Sequence, residues 1–189
     1  MIVTNLFFKR AHGRPTEPTD AFDFSQEGIA GNVRCSPLRQ VLITSQPVSD
    51  EFHIQPGKLG ENISVSSPAL YDLPSGTVVK IGQALIRLTF HCEPCKKVLH
   101  LIDFDRIEHK RGYLGSFLNS GTLSVGERFS VTDQKLEPIP YAVKDRVRWF
   151  LGKGNASSAT TDLLHGLGLP SAYARALPRM IEKMGLGGV

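Results

Sequence analysis

The stretch Leu85-Ile86-Arg87-Leu88-Thr89-Phe90 runs directly into His91-Cys92-Glu93-Pro94-Cys95. Apolar and polar side chains largely alternate along its first part, the period of a β-strand with one buried and one wet face. Reading outward, runs of the same kind recur at Arg39–Thr44, Asn62–Ser66, Thr77–Ile81, Ala84–Phe90 and Arg128–Thr132. They are rich in Val, Ile, Leu and Thr and are punctuated by Gly and Pro. Many short strands at close spacing predict a mainly β protein, a barrel or sandwich. Short helices are expected around Pro47–Phe52 and Ile102–Lys110, and residues 10–20 read as an exposed loop.

The pattern changes at Pro138-Ile139-Pro140. Two prolines remove ladder donors and favour an extended linker. Beyond them Val143, Val147, Phe150 and Leu151 fall at helical spacing, as do Leu163, Leu164 and Leu167. A third helix is expected from Ser171 to Met184, with Pro170 in its first turn and Ala174, Leu177 and Ile181 on one side. The predicted organisation is a β unit at 1–137 and a three-helix appendage at 141–189, its Gly-rich end frayed. Residues 141–189 carry seven Lys and Arg against three Asp and Glu, which is the whole net charge of +4.

A hydrophobic fraction of 41% and a charged fraction of 21% are values of a globular chain. No apolar run is long enough to span a bilayer, and Met1-Ile2-Val3-Thr4-Asn5-Leu6 lacks a secretory layout, so a cytoplasmic location is expected. Three cysteines, Cys35, Cys92 and Cys95, are too few for a disulfide scaffold. Two of them form a Cys-x-x-Cys pair, which in a reduced compartment reads as redox, metal or sulfur chemistry. The pair is only half of a four-coordinate zinc site, and His91 and His100 complete no common finger spacing. Cys35 has no sequence partner and reads as a small core residue.

Three glycine-marked segments surround the pair: Gly28-Ile29-Ala30-Gly31-Asn32, Pro56-Gly57-Lys58-Leu59-Gly60-Glu61-Asn62-Ile63, and Lys110-Arg111-Gly112-Tyr113-Leu114-Gly115. Gly-rich loops present backbone N–H groups to anions, and Arg adds a planar fork for phosphate. Arg39, Asn62 and Arg111 are therefore candidates to hold a phosphorylated cofactor. The plainer reading is that the glycines serve tight turns and the arginines face water.

The ordered set Pro-Gly-x-Leu-Gly-Glu-Asn-Ile, Leu73-Pro74-x-Gly76-Thr77 with Ile81-Gly82, Pro94-Cys95, Arg111-Gly112-Tyr113, Gly121 and Val125-Gly126 resembles the MOSC domain over about residues 20–132. The resemblance implies a β-barrel with few helices and a cysteine, here Cys95, that ligates molybdenum or carries sulfur. It also implies that Arg39, Gly60, Glu61, Asn62, Lys97 and Arg111 hold a molybdenum–pterin cofactor, with Cys92 and His91 assisting catalysis. Some stand-alone bacterial members of that family reduce N-hydroxylated bases; with no flavin, haem or iron–sulfur motif visible in this sequence, such a reaction would draw electrons from a separate protein. The glycine segment usually continues with Asp, where this chain has Asn32. Pyridoxal phosphate is associated with the wider family through sulfurase fusions, but no lysine motif here supports it as a direct ligand.

The residues themselves leave two chemistries open. A thiolate is a soft ligand for molybdenum and equally an acceptor of sulfane sulfur. Lys96 and Lys97 beside Cys95 favour a thiolate, Glu93 opposes them, and Cys92 can resolve a persulfide or simply pack. A molybdenum-dependent oxidoreductase and a sulfur carrier supplied by a sulfur donor both follow. For the tail, Asp162–Gly166 and Ser171–Met184 have helix-turn-helix spacing, and Arg175 and Arg179 share a face that suits phosphates. Pro178 and the modest charge count against nucleic acid and favour packing on the barrel or a homodimer partner, anchored by Trp149 and Phe150.

Overall fold

The computed structural model describes residues 1–33, 36–155 and 159–186. Cys35 and the last three residues, Gly187-Gly188-Val189, lie outside the described residues. The main sheet contains β1 (Val3–Phe8), β2 (Glu17–Thr19), β5 (Val41–Ser45), β6 (Ile63–Val65), β7 (Thr77–Ile81), β8 (Ala84–His91), β9 (Tyr113–Phe117) and β11 (Phe129–Lys135). Their order is β11-β7-β8-β9-β5-β6-β1-β2. A smaller sheet, β10-β3-β4, is built from β3 (Ala21–Ser25), β4 (Gly28–Ile29) and β10 (Gly121–Ser124).

The main sheet curls until its ends meet. β2 pairs only with Leu6–Phe8 of β1, which leaves the start of β1 available. Val3 N–H donates to Glu127 O at 2.9 Å, and Phe129 N–H donates to Met1 O at 2.9 Å. These bonds satisfy backbone groups that an open edge would leave exposed. The β5–β6 pair is parallel, so it needs a crossover; α1 (Gln46–Glu51) and the turns up to Asn62 supply it. Every residue of β5 is buried, the pattern of a strand covered on both faces.

Inside the curl lie Ile43, Ile63, Val65, Val79, Ile81, Ile86, Leu88 and Leu123, together with Tyr113. Phe22, Phe24 and Ile29 of the small sheet close this core, and Phe24 stacks on Phe117 at 4.7 Å. Leu42, Phe90, Cys92 and Leu114 form a second cluster with Ile139, against which Trp149 packs. Successive strand residues point to opposite faces. Leu42 and Leu114 therefore face away from Ile43 and Tyr113, and the register shift between Leu88 and His91 lets Phe90, in step with Ile86 and Leu88, join them on the outer face.

The mainly β fold agrees with the sequence reading, and β7 and β8 stand where they are expected. Arg39 differs: it ends a 3₁₀ turn, Pro37–Arg39, capped by Ser36, whose Oγ accepts from Leu38 N–H at 3.3 Å. Part of the expected loop at 10–20 pairs as β2, and the expected helix at 102–110 is the short α2 (Phe104–Ile107).

The tail holds α3 (Val143–Leu151), α4 (Thr160–Leu167) and α5 (Ala176–Lys183). Its own core gathers Val147, Leu163, Leu164, Leu167, Leu169 and Leu177, with Val143, Phe150 and Ile181 against it. The expected third helix is broken. A 3₁₀ turn, Ser171–Tyr173, precedes α5, and Ala174 is exposed. Starting α5 at Ala176 places Pro178 in the first turn, where its missing N–H costs no helical bond.

Candidate functional site

A cleft opens on the outer face of the sheet beside the second cluster. Its wall includes Arg39, Gly60, Asn62, Cys92 and Arg111, five of the residues singled out from the sequence. Lys9, Asn32, Gln40, Leu42 and Leu114 line it as well, and among the described residues no carboxylate does. Three cationic side chains, Lys9, Arg39 and Arg111, are thus among the residues around one concavity.

Arg111 is nearly buried, and its Nη1 donates to Glu93 O at 2.5 Å. Arg111 Nε is buried and meets no acceptor among the described residues. A buried donor without a partner is a strong reason to look for a ligand or water. The next residue, Gly112, has φ +142°, and a Cβ there would stand 3.0 Å from Ile43 O. Its carbonyl accepts from Cys92 N–H at 2.8 Å, which fixes the backbone of the cysteine loop. Arg39 Nη1 donates to Glu93 Oε2 at 3.1 Å and to Gly168 O at 2.9 Å, while Nη2 lies 3.8 Å from Cys92 Sγ.

Asn62 ties strands together. Its Oδ1 accepts from Leu42 N–H at 3.2 Å, and its Nδ2 donates to Phe7 O at 3.2 Å and to Asn32 Oδ1 at 3.4 Å. Asn32 Oδ1 also accepts from Lys9 N–H at 2.5 Å. Asn32 acts there through its carbonyl oxygen, a function an Asp carboxylate would share.

The remaining sequence candidates stand outside this wall. Glu61 is buried, with Oε1 accepting from Gly57 N–H at 2.6 Å, so its side chain serves the turn before β6. Burial pushes its carboxyl pKa up, against the backbone N–H groups that lower it, and its Oε2 has no partner among the described residues. Lys97 is exposed. Cys95 is partly exposed and opens a turn in which Val98 N–H donates to its carbonyl at 3.0 Å. Cys92 and Cys95 are both free thiols.

His91 belongs to an aromatic cluster, 4.3 Å from Tyr113, 5.3 Å from His109 and 6.4 Å from Tyr141 between ring centroids. Burial, reinforced by His109, pulls its pKa down to about 4. It is neutral at pH 7, and its buried Nδ1 has no partner among the described residues. Burial likewise pushes Tyr113 and Tyr141 up to about 12.

Sequence reasoning missed Glu93 and Arg146 as a pair. Arg146 of α3 is fully buried and donates to Glu93 Oε1 at 2.8 Å, with its Cζ 3.5 Å from the Phe90 ring centroid. A signal was present: Arg146 follows Val143 by three and precedes Phe150 by four, so it falls on the apolar stripe of α3. Trp149 does reach the barrel cluster, whereas Phe150 packs in the tail's own core. Arg175 and Arg179 are exposed.

A family model for the MOSC domain matches residues 36–135, more than half of the chain and the segment that carries most of the cleft. The chain belongs to the MOSC domain family. Solved structures agree on the fold. This MOSC domain protein is similar to YuaD from Bacillus subtilis, with 17% identity and a TM-score of 0.60, over 72% of this chain and 96% of that one. It is also similar to YiiM from Escherichia coli, with 17% identity, a TM-score of 0.54, and 98% and 94% covered. YiiM from Geobacillus stearothermophilus gives 14% identity, a TM-score of 0.54, and 95% and 96% covered. The YiiM likenesses run across the helical tail as well as the barrel. No curated protein matches the chain. Among the described residues no helix is long and apolar enough to cross a membrane.

Proposed function

We propose that this MOSC domain protein binds a molybdenum–pterin cofactor in the outer-face cleft and reduces N-hydroxylated compounds. The observation that carries the reading is the cleft wall: Lys9, Arg39 and Arg111 stand beside Cys92, and Arg111 Nε is buried without a partner among the described residues. A phosphorylated pterin matches that donor set, because guanidinium forks hold phosphate in two directions. Among the described residues no three His, Cys, Asp or Glu side chains stand together to hold a metal. A metal here would then rest on one thiolate and on groups carried in with it, as a pterin-bound molybdenum does.

In this reading Arg39, Arg111 and Lys9 hold the phosphate and orient the pterin. Asn62 and Asn32 keep the wall rigid, and Leu42 and Leu114 exclude water from it. Cys95, three residues beyond the wall residue Cys92 on the same loop, is the proposed metal ligand. The bound cofactor supplies the two-electron chemistry. Reduction of N–OH to N–H and water takes two electrons and two protons, and a separate electron-transfer protein provides the electrons. Molybdenum analysis of the purified chain, with assay of N–OH reduction, tests this.

A second reading is favoured by one observation: Cys92 and Cys95 are both free, one buried and one partly exposed. Cys95 would carry a persulfide, and attack by the Cys92 thiolate would form the disulfide and release sulfide. Mass spectrometry of Cys95 for one added sulfur separates the two, since a metal ligand carries none.

A further inference from the structure

Between Cys92 and Cys95 stands one carboxylate, Glu93, held by two arginines from different parts of the chain. Arg39 of the barrel takes Oε2 at 3.1 Å, and Arg146 of the tail takes Oε1 at 2.8 Å. Arg146 is fully buried while Glu93 keeps a quarter of its side-chain exposure, so the tail's arginine is the anchor. It also donates to Pro140 O at 3.0 Å, Tyr141 O at 2.6 Å and Leu167 O at 3.4 Å. Those three carbonyls bind it to the linker and to α4, and the Phe90 ring lies against its flat face. The guanidinium is thus fixed before it meets Glu93. Glu93 in turn stands at the hub: its backbone carbonyl accepts from Arg111, its carboxylate from Arg39, and both arginines line the cleft.

We propose that Arg146 is a positioning residue for the cleft, acting through Glu93 to set where the cysteine loop and Arg39 stand. The helical tail then contributes a charge that shapes the site as well as a cover over apolar surface. This holds whichever ligand fills the cleft. A lysine would not reproduce the arrangement, because only a planar fork meets four carbonyl and carboxylate acceptors at once.

The test is the rate at which iodoacetamide labels Cys92 in the full-length chain at pH 7, read residue by residue by mass spectrometry. Emission of Trp149, the chain's single tryptophan, is recorded alongside as a report of tail docking. In the unaltered chain Cys92 is buried and labels slowly. Glu93→Ala, Arg146→Met and the double variant are compared with it. The expected result is a rise of about tenfold in Cys92 labelling in each single variant, no further rise in the double variant, and unchanged Trp149 emission in Glu93→Ala. Arg146→Lys should recover only part of the protection. Slow labelling in Glu93→Ala, multiplied effects in the double variant, or a Trp149 shift in Glu93→Ala would each overturn the proposal and confine Arg146 to tail packing. If Arg146→Met fails to fold, the Glu93→Ala arm decides alone.

Discussion

The carbonyl of Gly168, at the end of α4, accepts a hydrogen bond from Nη1 of Arg39 at 2.9 Å. One backbone atom of the tail therefore holds a cleft-lining cation of the barrel. Gly168 is in the left-handed region, at φ +64°, and a Cβ there would meet Phe90 Cζ and Ser36 Oγ at 3.2 Å and Leu38 Cβ at 3.3 Å. Gly168→Ala should destabilise the chain by about 1–2 kcal/mol from the left-handed backbone alone. Urea unfolding followed by Trp149 emission measures this, and an unchanged midpoint would contradict the left-handed conformation of Gly168.

Asn62 offers a second test. Its amide serves Leu42 N–H, Phe7 O and Asn32 Oδ1 at once. Asn62→Ala should cost about 1–3 kcal/mol of stability, because it leaves buried backbone groups without partners. Denaturant titration at pH 7 checks it. A variant as stable as the unaltered chain would show that water replaces the amide, and would return Asn62 to a role in ligand contact.

The strands were readable because burial on one or both faces writes itself into the residue pattern. Ala84–His91 alternates until Thr89, and all of β5 is apolar or small. Arg39 was misjudged as part of a strand because the signal that stops the strand, Ser36-Pro37, lies upstream of it. The break before α5 was likewise written in Pro178, which is comfortable in a first turn and not in a helix middle. In the site, Gly60, Asn62 and Arg111 of the glycine-marked segments do meet Arg39 and Cys92. Glu61 turned away between Gly60 and Asn62 to bond with Gly57. The Arg146–Glu93 pair joins residues 53 apart across two modules, and no local pattern encodes such a meeting.

His91 makes the stability depend on pH. Its folded pKa of about 4 lies below that of a free histidine, so the unfolded chain binds the proton more readily. The neutral form's contribution is complete above about pH 6.5 and is lost as pH falls through about 4. Half-exposure and screening reduce the effect to on the order of 1 kcal/mol. Replacing His91 by Phe, which fits among Tyr113, His109 and Tyr141, should flatten the stability profile between pH 7 and pH 4.5. Parallel profiles for the two proteins would sink the assignment.

The two cysteines can be separated by substitution. Cys92 is buried in the outer cluster, so Cys92→Ala should reduce stability by about 1–2 kcal/mol through lost packing while leaving the proposed metal ligand, Cys95, in place. Cys95→Ala, at a partly exposed position, should leave stability nearly unchanged and remove bound metal. Unfolding midpoints and metal content of both variants give the answer, and the reverse pattern would make Cys92 the ligand.

The central claim is that this cleft holds a molybdenum–pterin cofactor. It is tested most directly by the molybdenum content of the chain purified from cells that make the cofactor, set against an Arg39→Ala, Arg111→Ala double variant. The account predicts close to one molybdenum per unaltered chain and little in the double variant, whose phosphate-holding forks are gone. An unaltered chain free of molybdenum, or a double variant that retains it fully, would contradict the account.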